Sequence, residues 1–576
     1  MALSPKWVLA EASSEQKALA GQLASTYGVS SAVAKVLVRR GFTGAAAFEE
    51  FLDPKLESLH PPEALLGLKA AVERVERAIV NREKILLYGD YDVDGTSAIV
   101  ILKTVLDLLG ADAEAFVPHR ILDGYGMKLD RIEEAAAAGI RLIISVDTGI
   151  RAGELVGKAT QLGIDTIVTD HHLPEEEIPP AVAVLNPNQP RCEYPNKYLC
   201  GAGVAFKLAQ GLLAASAMPA TRQRRLVESL LKMAALATVA DIVPLAGENR
   251  VIVKLGLEGM AEVKNPGLRA LLDVSGIKPG VAPTSRQVGF QIGPRINAAG
   301  RMSSASEVLE LFFTQDEGTA RRIAATLDEL NRERQETERE MREAIDRMLD
   351  GDEIWGGRTG LVLLGEDWHL GVAGIVAGRV AERHRKPTFV LTRNEKDGVE
   401  LVKGSGRSIA GFHLLDALES MRELFEQFGG HEQAAGVTLK RERVEEFGEA
   451  FAAYAASRLD EETRRPRIEI DETVTVPEVD LGLYEQVLRM APFGYGNQAP
   501  VFALLGVEVV APPLVMKGKH VKLTVRQQGR MLNLKGWSVP AEWFGWKAGD
   551  RLDAAFQLEH DSYDGWAAIL KDLRRA

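Results

Sequence analysis

The chain has 576 residues, 46% of them hydrophobic and 26% charged, with a formal net charge of −12 and only two cysteines. That length is too great for one core and implies three or four domains, with an ordinary soluble-globular composition. No apolar run approaches the roughly 20 residues that span a bilayer, the acidic balance argues mildly against a protein that coats duplex DNA, and Cys192 and Cys200 fit neither a disulfide framework nor a zinc pattern, which points to a reducing cytosol.

In chain order, the opening MALSPKWVLAEASSEQK lacks a long apolar stretch and a small-residue cleavage site, so no signal peptide is expected. Residues 1–65 read as short helices closed by Pro61 and Pro62. From Lys84 the texture changes to strand, acidic turn and helix in KILLYGDYDVDGTSAIVILKTVLDLLG, and RLIISVDTGI, DTIVTDHH and AVAVLNP are further short β-rich runs. Alternation of this kind predicts a parallel, doubly wound sheet with its site at the carboxyl ends of the strands.

Residues 315–350 lack proline, and Ile323, Leu327, Leu330, Met341, Ile345 and Met348 recur at helical spacings among charges. This predicts one long helix joining two lobes. A second α/β unit follows, with LVLLG and PTFVLT as strands and the Gly-rich segments KGSGRS and FGGHEQAAG. The last 110 or so residues alternate apolar and polar positions in VFALLGVEVV, HVKLTV, MLNLKGW, RLDAAFQL and WAAILKDL. Five such strands suggest a small barrel, an OB-fold first. The expected boundaries are 1–65, 66–314, 315–350, 351–462 and 463–576.

Four acidic or histidine clusters fall at predicted strand ends: Asp90, Asp92 and Asp94; Asp147; Asp170, His171 and His172; and Asp241. Several carboxylates and a histidine on adjacent strands can hold two hard divalent cations, which activate water and stabilise the leaving oxygen in phosphodiester cleavage. A carboxylate embedded in so apolar a run as AALATVADIVP is costly unless it is paired or ligating. In KGSGRS the glycines would let backbone N–H groups approach an anion, with Ser405 and Arg407 as further donors.

GDYDVDGTS, SVDTG, TDHH and ATVADIVP, in that order, resemble the four motifs of the DHH phosphoesterases, and FGGHEQAAG resembles the histidine motif of the associated DHHA1 domain. FLDPKLESLHPP, HRILDGYGM, GPRINAAGRM, WHLGVAGIVAGR, GSGRS and PFGYGNQAPVF narrow the likeness to the single-strand exonucleases of that family, over nearly the whole chain. The resemblance implies an α/β fold in which a parallel-sheet DHH domain is joined by the long helix to a DHHA1 domain, with a C-terminal OB-fold barrel. It also implies two Mn²⁺ or Mg²⁺ ions, with Asp92, Asp94, Asp147, His171 and Asp241 as ligands and Asp90 as a further ligand or acceptor. Asp170 and His172 would orient the site, and Arg120 would contact phosphate, with Arg295 and Arg301 as further cationic candidates. Ser405 and Arg407 match positions for a terminal 5′ phosphate, and His431 would face the metals as a phosphate donor or acid. Gln498 stands where proline is more usual and His119 where asparagine is, which bears at most on strand contacts.

The activity implied is a metal-dependent 5′→3′ exonuclease on single-stranded DNA, a cytoplasmic monomer acting in repair and recombination, with a helicase and a single-strand binding protein as partners. Phe493, Tyr495, Phe502 and Trp537 are candidates for base stacking, and Lys517, Lys519, His520 and Lys522 for tracking the backbone. Two rivals stay open here: a phosphodiesterase of cyclic dinucleotides or very short oligonucleotides, which has no evident use for residues 465–576, and an inactive scaffold, which the intact ligand positions disfavour.

Overall fold

The computed structural model describes residues 5–9, 11–120, 123–124, 126–350, 357–396 and 399–576. Ile121, Leu122 and Tyr125 of the HRILDGYGM segment, and residues 351–356 at the start of the expected second lobe, lie outside these.

The chain opens with a strand, β1 (Lys6–Leu9), that the sequence did not suggest, followed by helices Ser14–Tyr27, Ser31–Arg39 and Ala45–Leu52. The first lobe then forms around β2 (Lys84–Tyr88), β3 (Asp112–Phe116), β4 (Ile140–Val146), β5 (Asp165–Thr169) and β6 (Ala183–Leu185). All five are parallel, in the order β3-β2-β4-β5-β6. Helices cover both faces: Val93–Leu108 and Gly201–Ala215 pack on the side of Ile85, Leu87, Leu142 and Ile144, while Leu129–Ala137 and Gly153–Gln161 pack on that of Leu86, Tyr88 and Ile143. Burial on both faces is why β2 and β4 read as nearly continuous apolar runs. The direction of winding reverses between β2 and β4, which opens a crevice at their carboxyl ends. The half-exposed β3, DAEAF, carries too little apolar signal to read as a strand.

The long helix runs over Glu317–Asp350, 34 residues or about 51 Å. Ile323 and Leu327 belong to the first lobe's core, and Met341 and Ile345 to that of the second. Between them the buried face is polar: Arg334 donates to Glu338 at 2.8 Å and to Asn331 at 2.7 Å. The second lobe is a mixed sheet of β7 (Leu361–Gly365), β8 (Thr388–Lys396), β9 (Val399–Arg407), β10 (Gln427–Gly430) and β11 (Ala434–Lys440), ordered β10-β11-β9-β8-β7.

Beyond β12 (Arg467–Ile470), the C-terminal sheet comprises β13 (Glu472–Thr473), β14 (Phe502–Val509), β15 (Leu514–Met516), β16 (His520–Gln527), β17 (Arg530–Gly536), β18 (Arg551–Asp561) and β19 (Gly565–Arg575). The extra pairing of β14 with β16 closes it into a barrel. The five segments read as strands from alternation are all strands, and the two short ones escaped for want of length. The N-terminal segment belongs with this barrel: β1 pairs in parallel with β12, and Val33, Leu37, Phe48 and Phe51 share one core with Val487, Phe502 and Phe556. Arg250, fully buried in the first lobe, ties the three parts together by donating to the carbonyls of Phe51, Met490 and Ala491, each at 2.9 Å.

Candidate metal centre and active site

The turn after β2 carries the first three carboxylates. Asp92 caps helix Val93–Leu108, its Oδ1 accepting from the N–H groups of Asp94 at 2.8 Å and Gly95 at 3.1 Å. Asp94 points the other way and accepts from Gly201 and Ala202, both at 2.6 Å, at the positive end of helix Gly201–Ala215. Gly95 and Gly201 have no room for side chains: a Cβ on Gly95 would meet the Asp90 carbonyl oxygen at 2.5 Å, and one on Gly201 would meet Asp147 Cβ at 2.6 Å.

Asp147 follows β4 in a left-handed conformation, φ +58°. Among non-glycine residues that geometry is uncommon and mostly confined to short polar side chains. It brings Oδ1 to 3.2 Å from His171 Nε2, which also lies 3.7 Å from Asp94 Oδ2 and 3.8 Å from Asp241 Oδ2. Asp170, at the end of β5, organises both histidines. Its Oδ1 accepts from the backbone N–H groups of His171 and His172 and sits 2.7 Å from His172 Nδ1, and its Oδ2 accepts from Ile150. Asn186 and Asn188 complete the turn by donating to the carbonyls of His172 and His171, each at 2.9 Å. Nothing in the sequence singled out these two asparagines or Gly201, because their partners lie on other elements.

Asp241 corrects the sequence reading. It does not end a strand but stands at the C-terminus of helix Ala220–Ala240. The run before it is apolar on nearly all sides because the helix end is buried, and a short all-apolar run does not distinguish helix from strand.

Three overlapping sets, Asp90 with Asp92 and Asp147, Asp94 with His171 and Asp241, and Asp147 with His171 and His172, each offer ligand atoms within 4.8 Å of one another. The electrostatics fit cations between them. Burial and the neighbouring Asp92 raise Asp90 well above the carboxylate range, and burial with the Asp94 charge does the same to Asp147. Burial and the charges of Asp94 and Asp92 push Asp241 up to about 9. Burial holds His171 low, hence neutral and able to ligate, while burial of Asp170 is outweighed by its hydrogen bond from His172, whose own affinity for a proton rises. Asp90 Oδ1 is buried with no hydrogen-bond partner among the described residues, an arrangement that a divalent cation would satisfy.

The cationic candidates divide. Arg120 stacks over the Tyr91 ring at 4.9 Å. Arg301 donates to the Gly371 carbonyl of the second lobe at 2.9 Å; burial first, then the charges of Arg120, Arg407 and Arg334, lower it to about 9. Arg120, Arg301 and Arg407 thus form one cationic group at the junction of the lobes. Arg295 does not join it, for its guanidinium is engaged by Asp328 at 2.8 Å and the Gln291 carbonyl. GPRINAAGRM is a helix, Gly293–Met302: Asn297 accepts from Val93 N–H at 3.1 Å, and a Cβ on Gly300 would meet the Tyr91 carbonyl oxygen at 2.9 Å.

KGSGRS is no anion nest. Its residues 403–407 lie within β9, between β8 and β11, where their backbone serves the sheet. Gly404 and Gly406 are small to accommodate Leu391 and Phe389, leaving Ser405 and Arg407 on the opposite face. His431 is exposed just after β10; partial desolvation and then the charges of Arg407 and His172 hold its imidazole below the usual range. In the barrel, Phe502 is core and Phe493 packs against it, whereas Tyr495 and Trp537 are 58% and 52% exposed.

Residues 84–238 match the DHH family N-terminal domain, 357–457 the DHHA1 domain and 470–569 the RecJ OB domain. The chain is 36% identical to the single-stranded-DNA-specific exonuclease RecJ of Bacillus subtilis over 92% of its own length and 66% of that relative's. It is 35% identical to the RecJ of Dickeya dadantii over 90% of itself and 92% of that protein. The crystal structure of Thermus thermophilus RecJ with Mn²⁺ superposes with a TM-score of 0.84 at 28% identity, covering 99% of this chain and 80% of the other; the Mg²⁺ complex gives 0.78.

Proposed function

Because the chain belongs to the RecJ family of single-stranded-DNA-specific exonucleases, we propose that it removes nucleotides from the 5′ end of single-stranded DNA, in repair and recombination. The observation that carries this reading is the junction itself, where a carboxylate–histidine cluster borders a cationic group contributed by both lobes. Mn²⁺ or Mg²⁺, when bound, supplies an activated water and neutralises charge on the scissile phosphate. Asp90, Asp92, Asp94, Asp147, His171 and Asp241 would hold the two ions.

The rest of the work falls to the chain. Asp170 fixes the His172 ring through Nδ1 and so aims Nε2 into the site. Arg120, its guanidinium lying on Tyr91, holds a phosphate, and Arg301 adds positive charge behind it. Ser405 and Arg407 hold the terminal 5′ phosphate, which sets the register by one nucleotide, and His431 donates to the reacting phosphate from the second lobe. Tyr495 and Trp537 stack bases of the incoming strand, and Lys517, Lys519, His520 and Lys522 follow its backbone. The enzyme acts as a monomer in the cytoplasm; its free, buried thiols Cys192 and Cys200 suit a reducing compartment. Limited to single strands, it depends on a helicase to expose them and meets a single-strand binding protein there. No helix among the described residues is long and apolar enough to cross a membrane.

Single strands labelled at one end test the polarity. A 5′ label released as mononucleotide before any shortening from the 3′ end is expected, and 3′-end trimming would overturn the reading. Arg407→Ala is expected to narrow the preference for a 5′ phosphate over a 5′ hydroxyl; equal loss on both would make Arg407 a general contact.

A further inference from the structure

A cavity of about 480 Å³ opens between the lobes beside Ser405, roofed by Tyr91 and Arg120. Its floor is the face of three adjacent strands, and their register arranges it in rows. Ser405, Gly436 and Gly429 stand opposite one another in the first row, and Lys403, Thr438 and Gln427 in the second. The second row is two residues, roughly 7 Å, along the strands. Among the described residues, a Cβ on Gly429 would meet nothing within 4 Å and one on Gly436 only the Gly404 oxygen at 3.8 Å, so these leave the floor beside Ser405 as open space rather than packed core.

The direction of the strands decides what the second row can serve. Arg407 and His431 lie at the other end of β9 and just beyond β10, where the charges of Arg120 and His172 reach them. Lys403 is on the opposite side of Ser405 from Arg407, and it lines the cavity with Thr438 and Gln427, whereas Arg407 and His431 do not. A strand whose first phosphate rests on Ser405 and Arg407 has its nucleoside toward the metals, and the cavity extends past its 5′ terminus. One phosphate does not need so much room. The added row offers a cation and two neutral hydrogen-bond donors, a set suited to further anionic groups.

We propose that the terminus pocket continues into this cavity and that the enzyme accepts single strands bearing a 5′ triphosphate, with Lys403, Thr438 and Gln427 holding the added phosphoryl groups. The inference rests on the exonuclease reading and on Ser405 and Arg407 receiving the first phosphate. Water adds to the phosphorus joining the first two nucleotides, the bond from that phosphorus to the 3′ oxygen of the first breaks, and that oxygen gains a proton. The products are a nucleoside 5′-triphosphate and a strand one nucleotide shorter with a new 5′ monophosphate. The triphosphate itself stays intact.

The test compares first-nucleotide release by the full-length protein with Mn²⁺ in excess, from one DNA sequence carrying a 5′ hydroxyl, monophosphate or triphosphate. The expected result is release of nucleoside triphosphate within about threefold of the rate from the monophosphate strand. Lys403→Ala is expected to slow only the triphosphate strand, by about tenfold, and Lys403→Glu to slow it further. The proposal is overturned if the triphosphate strand resists while the monophosphate strand is cut, if pyrophosphate or inorganic phosphate appears first, or if the Lys403 variants slow both strands alike. Should the hydroxyl and monophosphate strands be cut equally, with Arg407→Ala affecting neither selectively, the terminus pocket itself falls and the proposal with it.

Discussion

The Asp92 carboxylate caps, through Oδ1, the helix that carries Asp94, and in the proposed centre Oδ2 would be the oxygen that meets a cation. Asp94 is oriented in turn by the N–H groups of Gly201 and Ala202, on another helix. Asp147→Ala or Asp241→Ala should therefore lower metal-dependent cleavage by more than about 100-fold while the fold persists, as circular dichroism would report. Gly201→Ala forces a methyl group against Asp147 and should weaken Mn²⁺ binding about tenfold or more by calorimetry, with little change in secondary structure. The carboxylates and TDHH were legible because acidic residues after apolar runs stand out locally. Gly201, Asn186 and Asn188 were not, because what each contacts is decided by the packing of distant segments.

At the scale of elements, the long helix shows where a hydrophobic pattern informs and where it misleads. Its apolar residues mark the two ends that enter cores, but the central buried face is Asn331, Arg334 and Glu338, which in sequence look like solvated charges. Removing one partner of a buried pair leaves the other uncompensated, so Glu338→Ala should destabilise the protein by about 3 kcal/mol in denaturant titration. A change near zero would place this face in water. The same limit explains Asp241, where a buried helix end imitated a strand, and KGSGRS, where two glycines that make room for Leu391 and Phe389 imitated an anion loop.

For the whole molecule, the barrel and the N-terminal helices are one unit although they stand at opposite ends of the chain. Ending the chain near residue 464 would strip Val33, Leu37 and Phe48 of the barrel side of their core, and aggregation of that fragment is expected. Removing residues 1–52 as well should leave two folded lobes that cut very short oligonucleotides but bind long single strands more than about tenfold more weakly, since stacking contributes roughly 1–3 kcal/mol per base. Unchanged binding in fluorescence anisotropy would show that the barrel does not gather the strand. The barrel's five longer strands were legible from alternation, but its partnership with residues 14–52 was not, because no local signal links segments more than 400 residues apart.

If the carboxylate–histidine cluster performs metal-dependent hydrolysis of single strands, digestion of 5′-labelled single-stranded and duplex DNA with Mn²⁺ or with a chelator will show it. Labelled mononucleotide should appear from the single strand only, with Mn²⁺ only, and not with Asp147→Ala. Cleavage in the chelator, equal cutting of blunt duplex, or internal fragments in place of mononucleotide would contradict it.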